Sequence, residues 1–459
     1  MSWTSRSTRA KAAAGLSAFL VAVTAANAAF AAKGDLHLVS RQSDSDGGAG
    51  ANGTSFGASV SGSGRFVAFN SSATNLGLHD GDSTVYVYDF KHKLVETVSR
   101  QSGLGLAANG FSVSPEISRN GRFVAFRTDA TNLGGPIVAG DNVYVYDRRL
   151  DKVQLVSRRS KSAGGGGANL DADVPTISAN GRYLAYNTRA TNLGGPIADD
   201  GEGNVYVYDR KEKRTFLVSR RSNGGKGGTD DSYEPSIAPH APVVVFQTQA
   251  DNLGGPINPN ASANVYAYDW RTREVELVSR RSRGGRGANE AADAPDVSAN
   301  GRLVVFETEA TNLGGPLQGA DATRRVYLHD RESGRTTLVS RQSKAAGGQG
   351  ADGNSSNPAI SNSGRFAAFA SAGTNLGGPI DSSLNVYVYD RERKRAILAS
   401  RGTAGGPGAD DYSASPALSG GGKFVAFYTP ATNIDPPGEP AYHGNIPIAT
   451  NVFRFQFRD

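Results

Sequence analysis

Cysteine is absent from the 459 residues, which removes disulfides, thiol nucleophiles and thiolate metal sites. Packing alone must hold such a chain, and a closed, repetitive core of about 420 residues can supply it. Long apolar runs are missing too. After the N-terminus nothing approaches the ~20 residues needed to cross a bilayer, so no membrane span is expected. No stretch repeats apolar residues at helical spacing. The six histidines, His37, His79, His92, His240, His329 and His443, include no H-E-x-x-H and fall at unlike places. Charge of one sign does not dominate: 49 basic and 43 acidic residues are interspersed, with a formal excess of +6. Nucleic acid is therefore not an expected partner.

Glycine and proline are plentiful, at 58 and 20 residues, a composition that favours short strands joined by turns. The first 32 residues read as a cleaved export signal. Arg6, Arg9 and Lys11 precede an apolar stretch over 12–26, and Ala26-Asn27-Ala28 and Ala29-Phe30-Ala31 are small-x-small cleavage candidates. Removing those three cations halves the formal charge. With no twin arginine and no cysteine to carry lipid, a periplasmic or secreted protein is expected.

Repetition dominates everything after residue 35. The element S-x-x-G-[RK]-[FYL]-x-[AV]-[FY] starts at Ser61, Ser118, Ser178, Ser298, Ser361 and Ser419, and a degenerate copy begins at Ala238. A-T-N-L or a near variant follows, carrying Asn75, Asn132, Asn192, Asn252, Asn312, Asn375 and Asn433. Next come an alternating run such as Val143-Tyr144-Val145-Tyr146-Asp147 and a segment ending Ser-Arg. The second copy predicts strands over 113–118, 122–128, 142–147 and 153–159. Four strands per radial repeat is a propeller pattern. The first three elements occur seven times, but the last copy has no fourth strand. Leu36 to Arg41 have that strand's sequence with no blade before them. The fold class expected is all-β: a single seven-bladed β-propeller over 33–459, its ring closed by the N-terminal strand completing the C-terminal blade.

Residues Pro115-Glu116-Ile117-Ser118-Arg119-Asn120-Gly121-Arg122-Phe123-Val124-Ala125-Phe126, followed by V-Y-V-Y-D, resemble the TolB-like propeller repeats of exported bacterial proteins. The resemblance covers the whole chain after the signal. It implies a propeller of the kind used as docking scaffold, ligand binder or enzyme accessory domain. The α/β domain that precedes the propeller of TolB, and the hydrolase domain of propeller peptidases, are not expected here.

The A–B and C–D turns are short, and the first are suited to φ > 0 hairpins through Asn-Gly. The B–C and D–A loops are long and should share one face, where binding residues tend to sit. Strand A is innermost, so the D–A loops should bring carboxylates to the channel mouth: Asp171, Asp173, Asp230, Asp231, Glu234, Asp293, Asp352, Asp410 and Asp411. Such a rim could attract cations, calcium being the likeliest, or remain solvated surface. Asp80 and Asp82 form a fragment of a calcium loop. The proline-rich stretch 430–450 adds Tyr442 and His443 as ligand-binding candidates. Arginine after serine and the A-T-N-L asparagine, present once per blade, read as structural. Gly53 to Gly57 match G-x-S-x-G by chance, since a nucleophile elbow needs a strand-to-helix turn. The expected function is a monomeric, non-catalytic scaffold without cofactor, binding an envelope or extracellular protein or polysaccharide. The alternative is a polysaccharide- or peptide-processing enzyme working at the channel mouth.

Overall fold

The computed structural model describes residues 34–80, 82–103, 105–138, 140–197, 201–317, 322–380, 384–402, 406–434 and 450–457. Among them, 28 strands pair into seven four-stranded antiparallel sheets, the blades. Blade 1 comprises strands A to D at Ser55–Val60, Phe66–Ser71, Thr84–Asp89 and Leu94–Thr97. Blade 2 comprises Ser112–Ile117, Phe123–Thr128, Asn142–Asp147 and Lys152–Leu155. The A strands of blades 3 to 7 start at Ala172, Ser232, Ala292, Ser355 and Ala414. They touch their neighbours in a closed ring, first against last, and so surround a central channel.

Strand D is shorter than the 153–159 expected. Val156 N and Ser157 N both donate to Val143 O, at 2.8 and 3.3 Å, while Ser157 Oγ accepts from Val143 N at 3.1 Å. The serine thus ends the ladder that its alternation pattern would continue.

Closure is as expected. Strand Gly34–Leu38 lies antiparallel to Asn451–Phe457 and is the outermost strand of blade 7, with Leu36 opposite Phe455 and Leu38 opposite Phe453.

The hydrophobic core lies between blades, which explains the V-Y-V-Y-D run. All six residues of strand C in blade 2 are buried. Tyr144 and Tyr146 pack toward blade 1 against Val85 and Val87, while Val143 and Val145 pack toward blade 3 against Tyr206 and Tyr208. A strand sandwiched on both faces has no solvent side, and each buried large side chain contributes ~1.5–3 kcal/mol.

The A–B turn of blade 2 closes through Gly121 N donating to Ser118 O at 2.8 Å. Only the glycine takes a positive φ, at 71°, so Asn120 does not share the left-handed role that an Asn-Gly pair suggested. Its carboxamide oxygen accepts from Arg122 N instead, at 3.0 Å. A Cβ on Gly121 would also stand 2.3 Å from the Phe66 ring of blade 1, so glycine is needed twice over.

The expectation that the long loops keep to one face holds only in part. The first half of six D–A loops turns down the outer edge of the next blade. Ser43, Ser102, Ser160, Ser222, Ser282 and Ser343 accept through Oγ from the N–H of Val95, Val153, Thr215, Val275, Thr336 and Ala396, near the start of the next D strand. An outer strand presents unpaired N–H groups, and these serines cover them. The arginine two residues earlier varies: Arg158 and Arg341 donate to the carbonyls of Gly165 and Gly348 in their own loops, whereas Arg100 pairs with Asp151 of blade 2 at 3.2 Å. The A-T-N-L asparagine bridges two loops rather than bonding within its own. Asn132 Nδ2 donates to Ala107 O at 2.8 Å while its Oδ1 accepts from Asn109 N at 3.1 Å.

Candidate functional site

Every A strand bulges toward the channel. One residue near its start is left-handed in all seven blades, the third of the strand in blades 1 to 6 and the second in blade 7: Gly57, Ser114, Val174, Glu234, Ala294, Asn357 and Ser415, with φ between 45° and 66°. The pairing register slips there in each blade. A proline follows in six blades, and Ala58 in blade 1. Proline fits because the innermost strand has a free edge and loses no ladder bond. Bulges of this kind re-aim side chains.

The channel is a cavity of about 400 Å³ walled by these bulges. At the short-turn end the A–B turns join in a circle of backbone hydrogen bonds. Gly62 N donates to Arg119 O (2.9 Å), Asn120 N to Ala179 O (3.4 Å) and Ala179 N to Pro239 O (3.0 Å). His240 N donates to Ala299 O (2.9 Å), Ala299 N to Asn362 O (3.0 Å) and Asn362 N to Gly420 O (3.0 Å). Gly421 N returns to Gly62 O at 3.4 Å, completing the ring. Arg119 reaches across this end and donates to Leu418 O at 3.1 Å.

Two carboxylates project into the well. Asp296 accepts from Ser236 Oγ, Val297 N and Ile360 N, all at 2.8 Å. Glu116 faces Ser59, with Arg119 and Asp296 close enough to act on its charge. Burial raises both carboxyls, and Glu116 is pushed up to about 7, the hydrogen bond to Ser59 and the charge of Arg119 only partly offsetting lost hydration.

Toward the long-loop face the second or third residues of three A strands are held by the preceding blade. Arg127 binds Asp173 at 3.0 Å, and Gln247 Nε2 binds Asp293 at 3.0 Å. Glu307 accepts from Asn357 N and from Arg324, both at 2.6 Å, and Glu234 accepts from Ala294 N at 3.1 Å. Burial again raises Glu234, Asp293 and Glu307, with Arg324 the nearby compensating cation.

The remaining acids expected at the rim are engaged locally. Asp171 accepts from Asp141 N at 3.0 Å; Asp231 accepts from Gly203 N at 2.6 Å and Arg189 at 2.7 Å. Asp352 holds Thr374, and Asp410 holds Thr432, each through backbone N–H and hydroxyl. Asp411 binds the N–H of Tyr412 at 2.7 Å. Of all the acids expected at the rim, Glu234 alone lines the channel cavity. Tyr442 and His443 lie outside the described residues.

Among the described residues, one group of three could ligate a metal: Glu202, Asp230 and Asp231, whose ligand atoms lie within 4.8 Å of one another. An all-oxygen set suits a hard cation such as calcium. Asp80 and Asp82 join no such group. Ser55 is buried in strand A of blade 1, its hydroxyl 2.8 Å from that of Ser71, with none of the geometry of a nucleophile elbow.

Glu116, Asp296 and Arg119 escape a motif search because they stand inside the repeat. The signal is a departure from it. Two residues after the left-handed position stands Ser59, Thr176, Ser236, Ala359 or Ala417 in five blades, and an acid in blades 2 and 5.

No family model and no curated protein matches the chain. Among solved structures, an oligogalacturonate lyase in complex with manganese is similar at 12% identity and TM-score 0.51, over 93% of this chain and 99% of that one. The β-propeller domain of the Trilobed protease from Pyrococcus furiosus is similar at 10% identity and TM-score 0.47, over 82% and 91%. TolB from Acinetobacter baumannii is similar at 12% identity and TM-score 0.39, over 76% and 65%. At these identities the likeness to the lyase is one of fold alone. No helix among the described residues is long and apolar enough to cross a membrane.

Proposed function

We propose that this propeller is an exported, non-catalytic scaffold. In this reading residues 1–32 direct export to the periplasm or beyond. A protein or polymer partner then docks on the long-loop face and inserts a cationic group into the channel. The observation that carries the reading is the ring of turn-to-turn hydrogen bonds at the short-turn end. A channel narrowed there is approached from the long-loop face, past Glu234 to Glu116 and Asp296. The cavity wall carries three carboxyls, Glu116, Glu234 and Asp296, against one arginine, Arg119, and a low-dielectric well with an excess of one sign concentrates the opposite sign.

Titration with a lysine-rich peptide tests this. Binding should weaken at least tenfold in Glu116→Gln/Asp296→Asn and weaken steeply with salt, whereas equal affinity in both proteins would remove the channel from the account. The second reading, an enzyme acting on polysaccharide or peptide, is favoured by one observation. A carboxyl near 7 is suited to general acid–base work at neutral pH. Turnover of such a substrate that vanishes in Glu116→Gln, with folding intact, would establish it in place of the scaffold.

A further inference from the structure

Four seams between blades follow one rule on the short-turn side; blade 1 departs from it with Phe90, its turn glycine Gly64 taking Arg454 of blade 7 instead, and blade 4 departs from it with Trp270. The residue after the aspartate of strand C is Arg148, Arg210, Arg331 and Arg391 in blades 2, 3, 5 and 6. Each donates to the carbonyl of its own A–B-turn glycine: Gly121, Gly181, Gly301 and Gly364. Arg148 and Arg210 also lie over the rings that open strand B of the preceding blade, 4.3 Å from Phe66 and 4.4 Å from Phe123. The preceding D strand supplies an acceptor, Glu96, Gln154 or Glu276, for three of the four. These arginines fill their seams.

In blade 4 the residue is Trp270, the A–B turn has no glycine, and the preceding D strand offers Phe216. The indole packs 5.2 Å from Tyr183 and 6.1 Å from Phe216, at interplanar angles of 53° and 60°. A cavity of about 690 Å³ opens beside it, and a second of about 370 Å³, also walled by Tyr183 and Trp270, continues to Pro239 and Pro242. The two make a track that passes the indole. The larger one carries four arginines against two carboxylates, Asp209 and Glu212, and both carboxylates face Arg182, at 2.7 and 3.8 Å. Among the described residues no carboxylate pairs with Arg214, Arg220 or Arg273.

We propose that this groove is a second binding site, distinct from the channel, and that its ligand is an acidic polysaccharide. A chain of uronate-type sugars carries an apolar C–H face and a carboxylate on each ring. The aromatic wall of Tyr183, Phe216 and Trp270 matches the first, and the guanidiniums without a carboxylate partner match the second. An acidic peptide fits less well, because the usual way of capturing an extended peptide is to add it to a free strand edge. The outer edge of strand Arg214–Leu217 is already occupied by Ser160, whose hydroxyl accepts from Thr215 N and donates to Thr215 O.

The chain has two tryptophans, Trp3 and Trp270, so in a Trp3→Phe background the emission reports the groove directly. The full chain is titrated with sodium alginate oligomers, neutral cello-oligosaccharides and poly-glutamate, following tryptophan fluorescence. Alginate should shift the emission with a dissociation constant at least tenfold lower than either other probe. Arg214→Ala/Arg273→Ala, which leaves the aromatic wall in place, should weaken that binding at least tenfold with an unchanged melting temperature. No emission change with alginate, undiminished binding in the double variant, or poly-glutamate binding as well as alginate would each overturn the proposal. Should the double variant melt early, Arg214→Gln/Arg273→Gln is read the same way.

Discussion

Glu116 stands where most other blades place a hydroxyl or a methyl group, and its ionisation has a consequence for the whole fold. Burial lifts its carboxyl from 4.5 to about 7, so the native state holds a proton that the unfolded chain gives up. That contribution to stability is complete below 4.5 and is lost as pH rises through about 7. The strand-end pairs act in the opposite sense. The fork of Arg302 holds Asp330 well below its ordinary 3.8, so its contribution is present above 3.8 and lost only as pH falls below it. Stability should therefore peak between the two windows. Glu116→Gln should flatten the decline between pH 5 and 8, which we expect to be ~2 kcal/mol in the wild type. Urea midpoints at both pH values check this, and a decline that survives the substitution would assign it to another group. At this scale the recurring residues were readable from the sequence, since a residue present in every blade has a role every blade shares. The acids were not, because a carboxylate's environment depends on what the ring brings opposite it. Asp410 was expected beside the channel, and its carboxylate ties two loops of its own blade together, which its sequence does not show.

Strands B and C and the turn positions follow from alternation and from where glycine falls, all of which are local. The D–A loops do not. Their Ser-Arg-x-Ser sequence shows a polar turn without showing that its second serine reaches the neighbouring blade. Ser282→Ala removes the acceptor for Thr336 N and leaves that edge amide dependent on water. The expected loss is ~1 kcal/mol, together with faster hydrogen exchange at Thr336 and unchanged exchange at Thr215 in blade 3. Uniform exchange across both blades would mean that the serines do not guard the edges. The A-strand bulges have the same standing. Proline within a strand fits an edge or a bulge, but the left-handed backbone at Val174, a poor conformation for a β-branched residue, emerged only with the folded ring.

The ring itself depends on one short strand. Leu36 and Leu38 are 1% exposed and pack with Phe453 and Phe455 in the cluster that joins blades 6 and 7. Leu38→Ala should cost ~2–5 kcal/mol. Deletion of 34–41 should leave the edge of Asn451–Phe457 unpaired, lower the melting temperature and promote association. A truncated protein that stays monomeric and melts unchanged would refute closure by this strand. The number of blades, the identity of their strands and the N-terminal closure were determined by the sequence alone, because period-2 alternation, turn glycines and repeat counting involve only residues near in the chain. The tertiary structure alone decided that Glu116 and Asp296, three blades apart, line one cavity with Arg119, that seven turns bond into a circle, and that Trp270 leaves a seam open. Those depend on the angle at which seven sheets close, which no local pattern records.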